Sequence, residues 1–158
     1  MVKVILICGK IASGKSTYAQ SIAKEIHGVN LSLDEIMLAV LGEYCDAHDD
    51  YKEKTQNYLF DKAVEIVNNG VPVILDWGFW TNDDRKNASE FFTKHDIPYE
   101  WHYINASKNT LIENVKKRNK EIDDGKVVAY HFDDELAEYF WAMFIPPTRD
   151  EIDVWIER

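Results

Sequence analysis

The chain has 158 residues, of which 46% are hydrophobic and 29% are charged. This length and composition predict one folded domain with its own core and exclude a disordered chain. The formal net charge of −10 argues against a nucleic-acid partner, because an acidic surface repels a phosphate backbone. The two cysteines, Cys8 and Cys45, have no metal-ligand spacing, which favours reduced thiols and a cytoplasmic protein.

Short apolar segments alternate with helix-like stretches along the whole chain. The first apolar run, at residues 2–7, is too short to span a membrane and predicts a buried strand. Further strands are predicted at residues 29–33, 71–75, 99–104 and 152–156. The alternation indicates an α/β domain with a parallel sheet between two layers of helices. No linker or repeat interrupts it, so residues 1–158 are predicted to form a single domain.

The segment from Gly9 to Ser16 follows the first strand and opens a helix, and it matches the phosphate-binding pattern Gly-x-x-x-x-Gly-Lys-Ser. In such a loop backbone amides surround phosphate oxygens, a lysine neutralises the terminal phosphates and a hydroxyl binds Mg²⁺. Lys15 and Ser16 are therefore predicted to contact ATP and Mg²⁺. The predicted nucleotide-binding residues are Gly9, Ile11, Ala12, Ser13, Gly14, Lys15, Ser16 and Thr17.

The second predicted strand ends at Ser32-Leu33-Asp34-Glu35. Because the carboxyl ends of parallel strands line one crevice, Asp34 is predicted to lie near the transferred phosphate and to deprotonate an acceptor hydroxyl. An alternative is that Asp34 or Glu35 caps the next helix.

The third predicted strand ends in Asp76, which is typical of an aspartate that holds Mg²⁺. Three aromatic residues, Trp77, Phe79 and Trp80, follow at the same edge. Trp77 is predicted to contact the acceptor as part of a pocket wall, with packing in the core as the alternative.

Helices are predicted at residues 15–26, at about 50–69 and at about 133–144. Thr81 with Asp84 forms a predicted capping box, and Ser107 is predicted to cap another helix. Residues 121–130 are predicted to form an exposed loop between two helices, because they offer little that could anchor them in a core. That loop would be able to close over a ligand.

Arginine is scarce in this chain, which makes its positions informative. Apart from the terminal Arg158, the chain contains only Arg85, Arg118 and Arg149. Each is predicted near the end of an element on one side of the sheet, where guanidinium groups can bind a migrating phosphoryl group in a bidentate manner.

Together these motifs resemble the small P-loop kinases that are similar to polynucleotide kinase, chloramphenicol phosphotransferase and zeta toxin. The resemblance implies a five-stranded parallel sheet in the order 2-3-1-4-5 and a small helical lid at about residues 116–132. It also implies Asp34 as the base, Arg118 as a lid arginine, Arg85 on the acceptor side and Arg149 near the nucleotide base. Lysines at positions 116, 117 and 120 depart from the several arginines that such lids often carry.

The resulting prediction is an ATP- and Mg²⁺-dependent phosphotransferase whose acceptor is a small molecule with a hydroxyl group. The catalytic residues would be Lys15, Asp34 and Arg118, and the metal would be held by Ser16 and Asp76. Two alternatives remain open: a polynucleotide 5′-hydroxyl kinase of RNA repair, and a non-catalytic nucleotide-binding sensor. The sequence indicates no membrane partner and no oligomeric state.

Overall fold

The computed structural model describes residues 2–42 and 47–158, so Cys45 lies outside the described residues. The strands are Val4–Cys8 (β1), Val29–Ser32 (β2), Val73–Gly78 (β3), Tyr99–Asn105 (β4) and Val154–Glu157 (β5). The helices are Lys15–Glu25 (α1), Leu33–Leu41 (α2), His48–Asn68 (α3), Asn82–Lys94 (α4), Lys108–Asp123 (α5) and Asp134–Met143 (α6), with a short 3-10 helix at Arg149–Glu151.

The five strands form one parallel sheet in the order β2-β3-β1-β4-β5, which confirms the predicted topology. The central strand β1 pairs with β3 on one side and β4 on the other, so that Ile7 lies opposite both Asp76 and His102. Strand β3 begins at Val73 and continues to Gly78, later than predicted. Asp76 therefore lies inside the sheet, between Ile7 of β1 and Ser32 of β2.

Alternate residues of β1 enter two separate cores, as expected for a strand that is covered on both faces. Val4, Leu6 and Cys8 pack in the cluster that includes α3 and α4. Ile5 and Ile7 pack in the cluster that includes α1. The sheet is thus the middle of three layers, and its carboxyl edge is left open to the loops that follow the strands.

The helix ends follow the predicted chemistry in two places: Thr81 and Asp84 form the capping box of α4, and Ser107 caps α5. Helix α6 is capped by Asp133, which was not predicted as a cap and accepts from Leu136 N. The cap of α2 is Ser32, whose hydroxyl accepts from Glu35 N, so the alternative that Asp34 or Glu35 caps this helix is wrong.

The predicted loop at 121–130 begins later than expected, because α5 continues to Asp123. Gly125 has φ of 69° and donates its N–H to Ile122 O, the usual geometry after the last turn of a helix. Irregular structure then extends from residue 124 to Asp133, and most of residues 123–128 are exposed. The predicted lid therefore consists of the end of α5 and the loop before α6.

No helix within residues 2–42 and 47–158 combines the length and apolar character needed to cross a bilayer. Cys8 is buried in the core, and burial raises the pKa of its thiol to about 12. The thiol is therefore protonated at neutral pH and serves as a small apolar group.

Phe92 tests the core beneath β3 and β4, because it is fully buried and its ring contacts those of Phe60, Phe91 and Tyr99. We expect Phe92→Ala to lower the free energy of unfolding by about 3–5 kcal/mol through lost burial and a new cavity. Tyr58→Ala is the control, since Tyr58 is 59% exposed and should change stability by less than about 0.5 kcal/mol. Equilibrium unfolding in urea measures both values.

Candidate functional site

The loop between β1 and α1 has the backbone shape of a phosphate-binding loop. Gly9, Ala12 and Gly14 all have positive φ, at 153°, 60° and 91°. A Cβ on Gly9 would lie only 2.8 Å from Ile104 O, so this position requires glycine. Gly9 N also donates to Gly78 O at 3.0 Å, which ties the loop to the end of β3. Gly14 is the N-cap of α1 and has no side chain to occupy the first-turn amides, which leaves them available to an anion.

Lys15 lies across this loop and donates from Nζ to Lys10 O at 2.7 Å. Burial lowers the pKa of the Lys15 ammonium, whereas the carboxylates of Asp76 and Asp34 raise it. The guanidinium of Arg118 lowers the same pKa further. The structure therefore brings four predicted site residues from four different elements within electrostatic range of one another.

Asp76 and Ser16 offer oxygen ligands beside Lys15. Burial raises the pKa of Asp76, although the Lys15 ammonium and the Ser16 hydroxyl both act to lower it. Oδ2 of Asp76 is buried and has no hydrogen-bond partner among the described residues. Leaving a carboxylate oxygen buried and unpaired is costly, and a hydroxyl with a carboxylate is a donor set that Mg²⁺ accepts. The predicted magnesium ligands thus fit the ion.

Asp34 is exposed in the first turn of α2, at the same edge of the sheet. Its charge acts on both Lys15 and Asp76. The exposed carboxylate thus lies within electrostatic range of the phosphate-loop lysine, and its place beside a transferred phosphate remains a prediction.

The two tryptophans at the end of β3 and just after it have different surroundings. Trp77 donates from Nε1 to Leu31 O at 2.9 Å and packs against Phe60 and Phe79, so its surroundings are those of the core-packing alternative. Trp80 instead folds over Gly78, where a Cβ would lie 2.7 Å from its Nε1, and contacts Phe140 of α6. Trp80 thus lies against Gly78, whose carbonyl oxygen accepts from Gly9 N of the phosphate loop.

Arg85 disagrees with the predicted acceptor-side role. It is only 2% exposed and donates to the backbone oxygens of Phe79 and Ile145 and to the side chains of Asn82 and Glu151. It lines a cavity of about 550 Å³ whose lining includes none of the residues from Gly9 to Ser16. These contacts make Arg85 a structural junction between α4 and the segment that leads to β5.

Two other arginines lie near the end of the sheet. Arg149 stacks on Trp155 with its Cζ 4.3 Å from the ring centre, and its contact with the nucleotide base remains a prediction. The guanidinium of Arg158 lies against the phosphate loop, since a Cβ on Gly14 would be 2.7 Å from its Nη1. The sequence analysis missed this cation, because spacing along the chain does not show that the end of β5 approaches Gly14.

The family model described as an AAA domain matches residues 4–140, most of the chain, including the phosphate loop, Asp34, Asp76 and Arg118. The chain belongs to this family. Within it, the motifs place the chain among the P-loop kinase domains, as the resemblance implied. No curated protein is detectably similar to it in sequence.

Three solved structures show the same fold. A candidate kinase from Chloroflexus aurantiacus has a TM-score of 0.72 at 22% identity, with 99% of this chain and 88% of that chain covered. The APS kinase CysC of Mycobacterium tuberculosis has a TM-score of 0.70 at 14% identity, covering 99% and 88%. A gluconokinase of Sinorhizobium meliloti has a TM-score of 0.64 at 15% identity, covering 98% and 82%. At such identities the likeness shows the fold, and the acceptor has to be inferred from this chain's own residues.

The contacts of Arg85 predict a stability phenotype. Arg85→Ala would leave the buried oxygens of Phe79 and Ile145 and the Glu151 carboxylate without this partner, so we expect the free energy of unfolding to fall by about 3 kcal/mol or more. The neighbouring Lys86 is exposed, and Lys86→Ala is the matched control. Thermal and urea unfolding measure the effect. An Arg85→Ala variant with wild-type stability would contradict the structural role.

Proposed function

We propose that this protein transfers the γ-phosphate of ATP to a hydroxyl group of a small molecule. The observation that supports this proposal is the convergence of two cations and two carboxylates beside the phosphate loop, namely Lys15, Arg118, Asp34 and Asp76. A loop that only bound nucleotide would need the lysine and the metal ligands. The exposed carboxylate of Asp34 and the guanidinium of Arg118 are additional, and they are the groups that phosphate transfer requires.

Each residue has a distinct part in the proposed reaction. The amides of the phosphate loop and Lys15 bind the β- and γ-phosphates, and Arg118 follows the charge on the migrating group. Asp34 accepts the proton of the acceptor hydroxyl as its oxygen attacks the γ-phosphorus. Ser16 and Asp76 would hold Mg²⁺, which neutralises charge between the β- and γ-phosphates when bound. The bond that breaks joins the γ-phosphorus to its bridging oxygen, and ADP leaves.

The net charge of −10 favours a small acceptor over a polynucleotide, since a long phosphate backbone would meet an acidic surface. The acceptor would enter beside Trp80, Phe140 and Lys52, where the Lys52 ammonium lies 5.7 Å from the centre of the Trp80 ring. The aromatic rings of Trp80 and Phe140 can pack against the apolar face of a sugar or of another ring.

The reaction is tested by ADP release from ATP in the presence of a panel of hydroxyl compounds. We expect Asp34→Asn to lower kcat by about 100-fold or more, because the acceptor hydroxyl loses its base. The exposed neighbour gives a matched control, Glu35→Gln, which should keep wild-type turnover. Lys15→Ala should abolish transfer by weakening phosphate binding, with Lys24→Ala on the exposed face of α1 as its control.

The same panel separates the alternatives. Labelling of a 5′-hydroxyl oligonucleotide, with no small molecule accepted, would replace this proposal with a polynucleotide kinase. Tight ATP binding without any transfer would favour a nucleotide sensor. Full turnover by Asp34→Asn would show that Asp34 is not the base.

Arg158 is a further cation that lies beside the phosphate loop. Lys15 and Arg118 carry two positive charges and Asp34 and Asp76 two negative ones, so these four side chains supply no net positive charge of their own beyond that of the proposed Mg²⁺. Arg158 adds one positive charge at Gly14, next to the first-turn amides of α1. We therefore propose that Arg158 contacts the phosphates of the bound nucleotide.

Arg158→Ala should weaken ATP binding about tenfold, the order expected for loss of a charged hydrogen bond, and should affect adenosine much less. Isothermal titration calorimetry measures both ligands. Lys24→Ala is the control, because Lys24 is exposed in the last turn of α1, away from the phosphate loop. Unchanged ATP affinity, or an equal loss for adenosine, would rule out a phosphate contact.

A further inference from the structure

Two side chains from outside the phosphate loop hold neighbouring carbonyl groups of that loop. Asn114 of α5 donates from Nδ2 to Ala12 O at 2.8 Å. Trp141 of α6 donates from Nε1 to Ile11 O at 3.1 Å, although it is more than a hundred residues away along the chain. Trp141 is only 7% exposed, so this bond is formed in a largely dry environment, where its loss is costly.

These bonds act on the strained part of the loop. Ala12 has φ of 60°, a left-handed conformation that costs a residue with a Cβ about 1 kcal/mol or more. Its carbonyl and that of Ile11 face the two helices, which leaves the opposite side of the loop for phosphates. The side chains of Ile11 and Ala12 also pack in the apolar cluster that contains Val115 and Trp141. Asn114 and Trp141 thus favour the backbone shape that phosphate binding requires.

The two helices are also those that flank the lid. Arg118 lies four residues after Asn114, one turn further along the same side of α5. At the base of the lid, the Asn119 amide bonds in both directions with the backbone of Phe132, donating to its oxygen and accepting from its N–H. Residues 120–131 are therefore closed at their base, and the helices on either side each donate a hydrogen bond to the phosphate loop.

We propose that Asn114 and Trp141 are positioning residues that couple the lid to the phosphate loop, so that nucleotide binding at Gly9–Ser16 is transmitted to residues 116–133 and places Arg118. This inference rests on the proposed nucleotide site but does not require that an acceptor be phosphorylated. The alternative is that the two bonds merely satisfy buried carbonyl groups.

Hydrogen–deuterium exchange of the full chain, with and without Mg²⁺ and the non-hydrolysable analogue β,γ-imido-ATP, tests the coupling. In the wild-type protein we expect the analogue to slow exchange both at residues 9–16 and at residues 116–133. In Asn114→Ala/Trp141→Phe the loop should still be protected, while the protection of residues 116–133 should fall more than about fivefold, the order of one of the two neutral hydrogen bonds that are removed. Trp141→Phe removes the N–H donor and keeps an aromatic ring in the apolar cluster.

Two controls match these changes. Asn109→Ala removes an exposed asparagine from the same helix, and Trp155→Phe removes an indole N–H that donates to Glu157. Both should retain the wild-type response of the lid. Should the double variant fail to fold, Asn114→Ala alone removes one of the two donors without adding a charge beside the phosphate loop, and it should lower the protection of residues 116–133 about fivefold.

Two results would overturn the coupling: wild-type protection of residues 116–133 in a folded variant that lacks the donors, or an analogue that protects only residues 9–16 in the wild-type protein. A kinetic measurement gives an independent check. If transfer occurs, Asn114→Ala should lower kcat more than it raises the KM for ATP, and it should add little to the loss caused by Arg118→Ala. Additive losses would indicate a merely structural role. A wild-type protein that transfers phosphate to no acceptor would defeat the proposed function and leave the exchange experiment valid.

Discussion

The site depends on a lysine and an aspartate that are held together at the carboxyl edge of the sheet. Burial disfavours the charged form of both Lys15 and Asp76. For each of the two, the opposite charge of the other is the largest interaction that offsets this cost. Their positions follow from the pairing of β1 with β3, in which Asp76 lies opposite Ile7. Ile7 is only two residues before Gly9, where the phosphate loop that carries Lys15 begins. The order of the strands is thus also the reason that the phosphate loop and the carboxylate proposed to hold Mg²⁺ lie side by side.

Around this pair the molecule combines rigid and exposed parts. The phosphate loop is held by three hydrogen bonds, one from Gly9 N to Gly78 O and two from the side chains of Asn114 and Trp141 to loop carbonyl groups. Asp34 is exposed in the first turn of its helix, where it can meet a second substrate. In the proposed reaction, such an arrangement would hold the phosphate donor in one position and leave the residues around the acceptor free to differ. This agrees with a shared fold among kinases whose substrates differ.

Much of this could be predicted from sequence because its causes are local. The phosphate loop, the capping box at Thr81 and the buried strands follow from short patterns, and the order of the strands followed from a resemblance. The roles of Arg85 and Trp77 could not be predicted, since their partners lie far away in the chain or on neighbouring strands. Arg158 was missed for the same reason. The end of α5 was predictable in principle, because a glycine such as Gly125 commonly follows the last turn of a helix, but Asp123 and Asp124 before it were interpreted as part of a loop.

The close approach of Trp80 to Gly78 has a consequence for how the acceptor side can vary. The indole occupies the space that any side chain at position 78 would need, and φ at this glycine is 86°. A side chain at position 78 would therefore need a smaller residue at 80 and would still adopt a strained backbone conformation. Redesign of the entrance for a different acceptor can thus vary Trp80 while position 78 stays glycine.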